Sequence, residues 1–257
     1  MREKILKITK LKNKKRLVCL TAYSKNIATI LDDYCDIILV GDSMANVLYG
    51  MENTHKIKME TIINHAISVS KGIKKSLLVV DMPKGTYKNI SEAVKNARII
   101  LKKTKCDAVK IESNNNNFRI IKKLVTLKIP VMGHVGYTPQ FTKKFKVQGS
   151  NKTDSQRILK EAQKIQSAGA FSIVLECVKS ETSKKITKIL KIPTIGIGSS
   201  KECDGQILVT DDILGLSGFY PKFVKKYVNL KKIIKDAVIS YSKDVIKKKF
   251  PRRKNSY

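Results

Sequence analysis

The sequence contains no C-x-x-C pair, no apolar run longer than a strand, no internal repeat and no linker rich in proline, glycine or serine. Each absence excludes a class of protein. Cys19, Cys35, Cys106, Cys177 and Cys203 are odd in number, and most lie within or beside apolar runs, where a free thiol behaves as a small hydrophobe. Neither a disulfide framework nor a zinc site is expected, and a reducing, cytoplasmic compartment fits best. Strand-length apolar runs predict no transmembrane helix, and residues 1–16 lack the apolar core of a secretory signal. The dinucleotide fingerprint and the P-loop are both missing. Negative charge is scarce: 21 acidic residues stand against 52 basic ones, for a net charge of +31. Such an excess suggests a nucleic-acid binder. Here, however, the lysines are scattered, with short clusters at 14–16, 143–144, 247–249 and 252–254, and no aromatic stacking motif is interleaved with them. Lys also far outnumbers Arg, the better bidentate phosphate partner. The charge therefore reads as drift in composition towards Lys, Ile and Asn, and neither a nucleic-acid nor a membrane partner is expected.

What is present is alternation. Short runs rich in Val, Ile and Leu occupy 17–22, 37–40, 77–80, 108–111, 130–132, 172–175, 194–197 and 206–209. Runs of this kind are strands buried on both faces, as in a parallel sheet. Helix-like stretches lie between them at 25–33, 59–74, 91–104, 117–127, 154–168 and 178–190, and a last one spans about 222–248. Ser91 before Glu92 marks a helix start, and Gly169 stands where a helix C-cap is expected. Eight buried strands alternating with helices predict a (β/α)8 TIM barrel, with an open doubly wound sheet as the alternative, because alternation alone does not show closure. The 257 residues are expected to form a single barrel domain, with a short basic tail from about 247 to 257.

Active-site groups of such barrels sit at the C-terminal ends of the strands. Asp42, Asp81, Glu112, His134 and Glu176 end the second to sixth strands in turn. A single aspartate there reads as a helix N-cap. Four carboxylates converging on one rim would repel each other, and a bound cation relieves that repulsion. Oxygen ligands favour Mg²⁺. Lys110 and Glu112 are two apart on one strand, so both face inward, and Val109 and Ile111 face the helices. Proton abstraction beside a metal-bound carbonyl needs one carboxylate off the metal, and Glu176 is the candidate. His134, in Met132-Gly-His-Val-Gly136, is a candidate for orienting a ligand or the substrate from behind. Cys177 is read as packing.

These residues belong to segments with a familiar order and spacing: Leu39-Val-Gly-Asp-Ser43, Val80-Asp-Met-Pro83, Val109-Lys-Ile-Glu112, Val131-Met-Gly-His134, Gly136-Tyr-Thr-Pro-Gln140, Lys146-Val-Gln-Gly149, Val174-Leu-Glu-Cys177, Ile192-Pro-Thr-Ile-Gly-Ile-Gly198 and Cys203-Asp-Gly-Gln206. From Leu20 to about Tyr227 the chain resembles the ketopantoate hydroxymethyltransferase (3-methyl-2-oxobutanoate hydroxymethyltransferase) family. The resemblance implies a barrel of the pyruvate/phosphoenolpyruvate type, assembled as a homo-oligomer, often a decamer. It implies transfer of a one-carbon unit from 5,10-methylenetetrahydrofolate to 3-methyl-2-oxobutanoate, giving 2-dehydropantoate for pantothenate synthesis through a Mg²⁺-stabilised enolate. By matching motif, Asp42 and Asp81 bind Mg²⁺ and the carboxylate end of the keto acid, Glu112 completes the metal site, Ser43 and Lys110 hold the keto acid, and Glu176 accepts the proton. The chain departs from the family pattern at Met44-Ala45-Asn46, Lys84, the asparagine run 114–117 and Thr210-Asp211. A C–C lyase of the isocitrate-lyase or phosphonopyruvate type shares the metal logic but generally needs a catalytic loop motif that this sequence lacks.

Overall fold

The computed structural model describes residues 2–113, 117–142, 144–218 and 220–257; three asparagines of the 114–117 run, and Lys143 of the 143–144 pair, lie outside the described residues. Eight parallel strands close on themselves: β1 (Leu17–Thr21), β2 (Ile37–Val40), β3 (Leu77–Asp81), β4 (Ala108–Glu112), β5 (Val131–Gly136), β6 (Ser172–Glu176), β7 (Thr194–Ile197) and β8 (Gly205–Leu208). Pairing of β1 with β8, Leu17 against Gly205 and Cys19 against Ile207, closes the barrel. That settles the choice against an open sheet. The eighth strand, expected at 206–209, is present one residue earlier and is four residues long.

Two clusters show which way each strand faces. Leu17, Cys19, Ile37, Leu39, Leu77, Val79, Ala108, Met132, Val174, Ile195 and Ile207 form one, the barrel interior. Their alternates, among them Ile38, Val40, Leu78, Val80, Val109 and Ile111, join the helices in the other. A strand turns successive side chains to opposite faces, so Asp81 shares the inner face with Leu77 and Val79. Lys110 and Glu112 likewise follow Ala108, and Glu176 follows Val174. The interior is therefore apolar at one end and charged at the other.

Around the barrel run α2 (Lys25–Leu31), α4 (Met59–Ser70), α5 (Ile90–Thr104), α6 (Phe118–Thr126), α7 (Lys152–Ser167) and α8 (Ser180–Ile189), and α3 (Met44–Val47) is a single turn after β2. Two boundaries differ from the sequence reading for local reasons. The cap of α5 is Asn89, whose side chain accepts the Glu92 N–H, two residues before the expected Ser91. The fourth helix stops at Ser70 rather than 74, because the Asp32 carboxylate captures the N–H groups of Lys74, Lys75 and Ser76 and draws them into a loop. Gly169 does follow α7, with φ at +95°, and a Cβ there would lie 2.7 Å from Val125.

An element the sequence did not announce is α1 (Arg2–Lys10). Its Ile8 is buried in the interior cluster with Leu17 and Ile37, and Ile5 packs beside it. This helix thus covers the apolar end of the barrel, opposite the charged one.

Residues 210–257 form a second compact unit. It contains α9 (Thr210–Leu214) and α10 (Leu230–Ile246), the latter shorter than the expected 222–248 stretch. Among the described residues, no helix is long and apolar enough to cross a membrane.

Candidate active site

The charged end of the barrel gathers every site residue expected from the sequence. Val40 ends β2, and Asp42 stands two residues later, before the turn of α3. The carboxylate does not cap that helix; its Oδ2 accepts a hydrogen bond from Gln140 Nε2 at 2.8 Å. The Asp42 N–H donates instead to Asp81 Oδ2 at 3.0 Å, so the two aspartates touch. The other oxygen of Asp81 holds the Lys110 ammonium at 2.5 Å in a buried ion pair. Glu112 Oε2 accepts the backbone N–H of Gln140 at 3.0 Å. Ser43, beside Asp42, shares a hydrogen bond of 2.8 Å with the Tyr23 hydroxyl.

His134 is not beyond its strand, as the short run 130–132 suggested, but within β5. Its Nε2 lies 2.9 Å from the carbonyl of Tyr137. A carbonyl only accepts, so Nε2 carries the proton and Nδ1 is left as an acceptor. That Nδ1 is buried without a partner, 3.9 Å from Glu112 Oε1, while Nε2 is 3.4 Å from Glu176 Oε2. Burial and the Lys110 charge hold the imidazole well below its ordinary pKa, so it is neutral.

Glu176 differs from the other carboxylates in access. Its side chain is 19 % exposed, against 1 % for Glu112 and 2 % for Asp81, so it is the most accessible of the three. Its backbone is pinned: the carbonyl accepts the Tyr137 N–H at 2.8 Å, and Gly136, at φ +99°, passes so close that a Cβ there would overlap that oxygen. Cys177, in left-handed conformation at φ +51°, turns the chain away directly after it. Its thiol is buried and pushed up to about 12, chiefly by burial, in keeping with a packing role.

Four carboxylates therefore face one ammonium in a largely water-free rim. Burial and the charge of Asp81, partly offset by Lys110, raise Asp42 to about 6. Burial, then Asp42, raises Glu112 well above the ordinary carboxylate range. Burial raises Glu176 to about 8, with Lys110 pulling the other way. For Lys110, burial alone would favour the neutral amine, but Asp81, Asp42 and Glu112 outweigh it and keep the ammonium charged.

A consequence for stability has a definite sign. A carboxyl raised in the folded state binds its proton more tightly there than in the unfolded chain, so stability falls as pH rises from the ordinary value, 4.5 for Glu176, through about 8. His134, depressed in the folded state, works oppositely, but only below its ordinary 6.5. Between pH 6.5 and 8 the carboxylates act unopposed. The Tm of the cation-free protein is expected to fall across that interval, and to fall less with Mg²⁺ present; a Tm that climbs from 6.5 to 8 without cation would contradict the raised carboxylates.

Among the described residues, no three His, Cys, Asp or Glu side chains converge as a ready-made metal cluster. A Mg²⁺ site does not require one, since one or two carboxylates plus water and substrate oxygens suffice. The touching pair Asp42 and Asp81, with Asp42 raised by burial and by the charge of Asp81, fits such a site.

Sequence reasoning missed several residues. Gln140 and Tyr87 lie behind the carboxylates, and Tyr23 behind Ser43. His55 and His65, to which the sequence assigned no role, are staples. His65 Nδ1 donates to the Tyr23 carbonyl at 2.7 Å and Nε2 accepts from Tyr49, while His55 bonds the Pro139 carbonyl at 2.8 Å. Neutral side chains acting from loops carry no periodic signal; for Gln140 the one hint was its place in the Gly136-Tyr-Thr-Pro-Gln140 segment.

A closed parallel barrel with inward acids, a buried ammonium and a neutral imidazole at its C-terminal rim has the build of a (β/α)8 enzyme. The comparisons narrow this. Residues 2–253 match the family described as ketopantoate hydroxymethyltransferase. The 3-methyl-2-oxobutanoate hydroxymethyltransferase of Pelagibacter ubique (strain HTCC1062) is 52 % identical over 257 residues, covering 100 % of both chains. That of Anaplasma marginale (strain Florida) is 45 % identical, covering 98 % of this chain and 92 % of its own. The chain belongs to the ketopantoate hydroxymethyltransferase family. Among solved structures, phosphonopyruvate hydrolase in complex with oxalate and Mg²⁺ shares the fold at a TM-score of 0.62 and 10 % identity, over 98 % of this chain and 93 % of that one.

Proposed function

We propose that this rim carries out the hydroxymethyl transfer to 3-methyl-2-oxobutanoate that gives the family its name, with Glu176 as the base. The observation that carries the assignment is the contrast among the acids: Glu176 alone is both raised to about 8 and open at the mouth, while Asp42, Asp81 and Glu112 are buried and held by neighbours. A base near neutrality matched to a weakly acidic C–H proton is what general-base catalysis requires.

Asp42 and Asp81 are the residues that would hold Mg²⁺, with Glu112 completing the acidic set beside them. When bound, Mg²⁺ polarises the keto carbonyl and offsets the charge that develops on its oxygen. Lys110, fixed by Asp81, presents its ammonium to the keto acid carboxylate, and the Ser43 hydroxyl, oriented by Tyr23, adds a hydrogen bond. Glu176 then takes the C3 proton, and the neutral His134, held by the Tyr137 carbonyl through Nε2, packs 3.4 Å from the Glu176 carboxylate and limits its movement. Water releases the methylene carbon of 5,10-methylenetetrahydrofolate as formaldehyde, with both C–N bonds broken and tetrahydrofolate departing; the enolate carbon attacks that carbon, the new alkoxide takes up a proton, and 2-dehydropantoate is released. We further infer a cytoplasmic homo-oligomer, a decamer by family resemblance.

The test is a coupled assay for 2-dehydropantoate from the keto acid and methylenetetrahydrofolate. Turnover is expected with Mg²⁺, loss with a chelator, and recovery when Mg²⁺ is returned in excess. Undiminished turnover after chelation removes the cation from this reading; no product under any condition removes the reaction.

A further inference from the structure

Gln140 donates three hydrogen bonds at the acidic rim, and the proposed reaction gives it no step. It lies in the loop after β5, is 1 % exposed, and is 98 residues from Asp42 in sequence. Its Nε2 donates to Asp42 Oδ2 at 2.8 Å and to the Met82 carbonyl, next to Asp81, at 3.1 Å. The backbone N–H donates to Glu112 Oε2 at 3.0 Å. One residue thus reaches the ends of three successive strands, β2, β3 and β4.

The orientation of the amide is forced by its neighbours. A carboxylate and a carbonyl are acceptors only, so the NH₂ end must face Asp42 and Met82. The carbonyl end, Oε1, then needs a donor, and the Tyr87 hydroxyl supplies it. Tyr87 is buried, and burial together with Glu112, Asp42 and Asp81 pushes its phenol up, so it remains a donor. A flipped amide would set its oxygen against the Asp42 carboxylate and its NH₂ against the phenol.

We propose that Gln140, locked by Tyr87, is a positioning residue that fixes the Asp42 carboxylate for divalent-cation binding. The amide occupies one oxygen of Asp42 from behind and sets the rotation of the carboxylate about its last bond. Partners that orient a metal ligand in this way are worth about 10- to 100-fold in affinity. A neutral donor suits the place, because a cationic one would compete with the ion for the charge of Asp42. This inference rests on the assignment of Asp42 to the cation.

The experiment is calorimetric titration of Mg²⁺ alone into the cation-free enzyme, for the wild type, Asp42→Asn, Gln140→Met and Tyr87→Phe, with Tm recorded for each. Gln140→Met keeps length and volume and loses the donor; its Kd is expected to weaken at least about 10-fold. Tyr87→Phe removes only the hydroxyl and is expected to weaken Kd by a smaller factor in the same direction, and it carries the test if Gln140→Met does not fold. A merely structural Gln140 would lower Tm and leave Kd unchanged. If Asp42→Asn loses binding while both other variants keep Kd within twofold of wild type, the positioning role is overturned and the metal assignment stands. If Asp42→Asn binds as wild type, the metal assignment fails and this inference fails with it.

Discussion

Glu176→Gln is expected to abolish exchange of the C3 proton of 3-methyl-2-oxobutanoate into deuterated water while leaving Mg²⁺ affinity near that of the wild type. The amide keeps the shape of the carboxylate and its place beside His134 Nε2, 3.4 Å away, but it has no basic oxygen to take a proton. General-base catalysis contributes about 10²- to 10⁴-fold, and the loss should reach that range or fall below detection. The metal readout separates this outcome from collapse of the site, because Glu176 is open at the mouth whereas Asp42 and Asp81 touch each other behind it. In the wild type the pH profile has a fixed sign. A base acts only when deprotonated, and burial raises Glu176 to about 8 in the cation-free rim, so exchange measured with Mg²⁺ should climb with rising pH, at values below 8 because the cation counters Asp42 and Asp81. Exchange in Glu176→Gln at the wild-type rate would eliminate Glu176 as the base and leave Glu112, the other acid within reach of His134, as the alternative.

The acids of this rim were legible before the fold was, and the reason is energetic. A carboxylate directly after a run such as Leu77-Leu-Val-Val80 has to be buried, and a buried carboxylate costs too much to keep without a task. Period-2 alternation then fixed the side: Lys110 and Glu112 had to face where Ala108 faces, and they do. His134 was placed correctly at the rim, but its strand was cut short, because the glycines flanking it in Met132-Gly-His-Val-Gly136 weaken the apolar signal without ending the pairing; Gly133 and Gly136 both sit opposite partners in the ladder. Helix ends moved wherever a distant side chain intervened, as Asp32 does at 74–76. The covering of the apolar end by α1 was not foreseen, since a nine-residue lysine-rich segment with isolated isoleucines reads as surface until Ile8 is seen to be buried. Gln140 and Tyr87 were illegible for another reason. Neither is charged, their loops have no period, and their importance lies in contacts across 53 and 98 residues. The sequence thus revealed the groups that are expensive to bury and concealed the neutral groups that make their burial tolerable.

Lys110 is one of these expensive groups, and Lys110→Met is expected to be the most damaging single change to the stability of the barrel, by about 3–5 kcal/mol near pH 8, the usual cost of removing one partner from a buried ion pair. Two effects compete. Methionine needs no desolvation, which favours the variant. Against that, Asp81 loses its only ion-pair partner among the described residues, and Asp42 and Glu112 lose the charge that offsets their mutual repulsion. The second effect wins at high pH because, among the described residues, Lys110 is the ammonium paired with the buried acids, and His134 is held neutral. It need not win at low pH. Asp42 is already raised to about 6, and without Lys110 both it and Glu112 are raised further, so they take up protons and their repulsion disappears. The loss in Tm should therefore be large at pH 8 and small at pH 5.5, and Mg²⁺ should restore more stability to the variant than to the wild type, because the cation then supplies the positive charge that Lys110 gave up. Thermal unfolding at both pH values, with and without Mg²⁺, makes the comparison. An equal loss at both would mean that the methionine merely packs badly, and the electrostatic account of the rim would have to be given up. A loss confined to pH 8 would show that one ammonium holds the acids together until substrate and cation arrive to share the work.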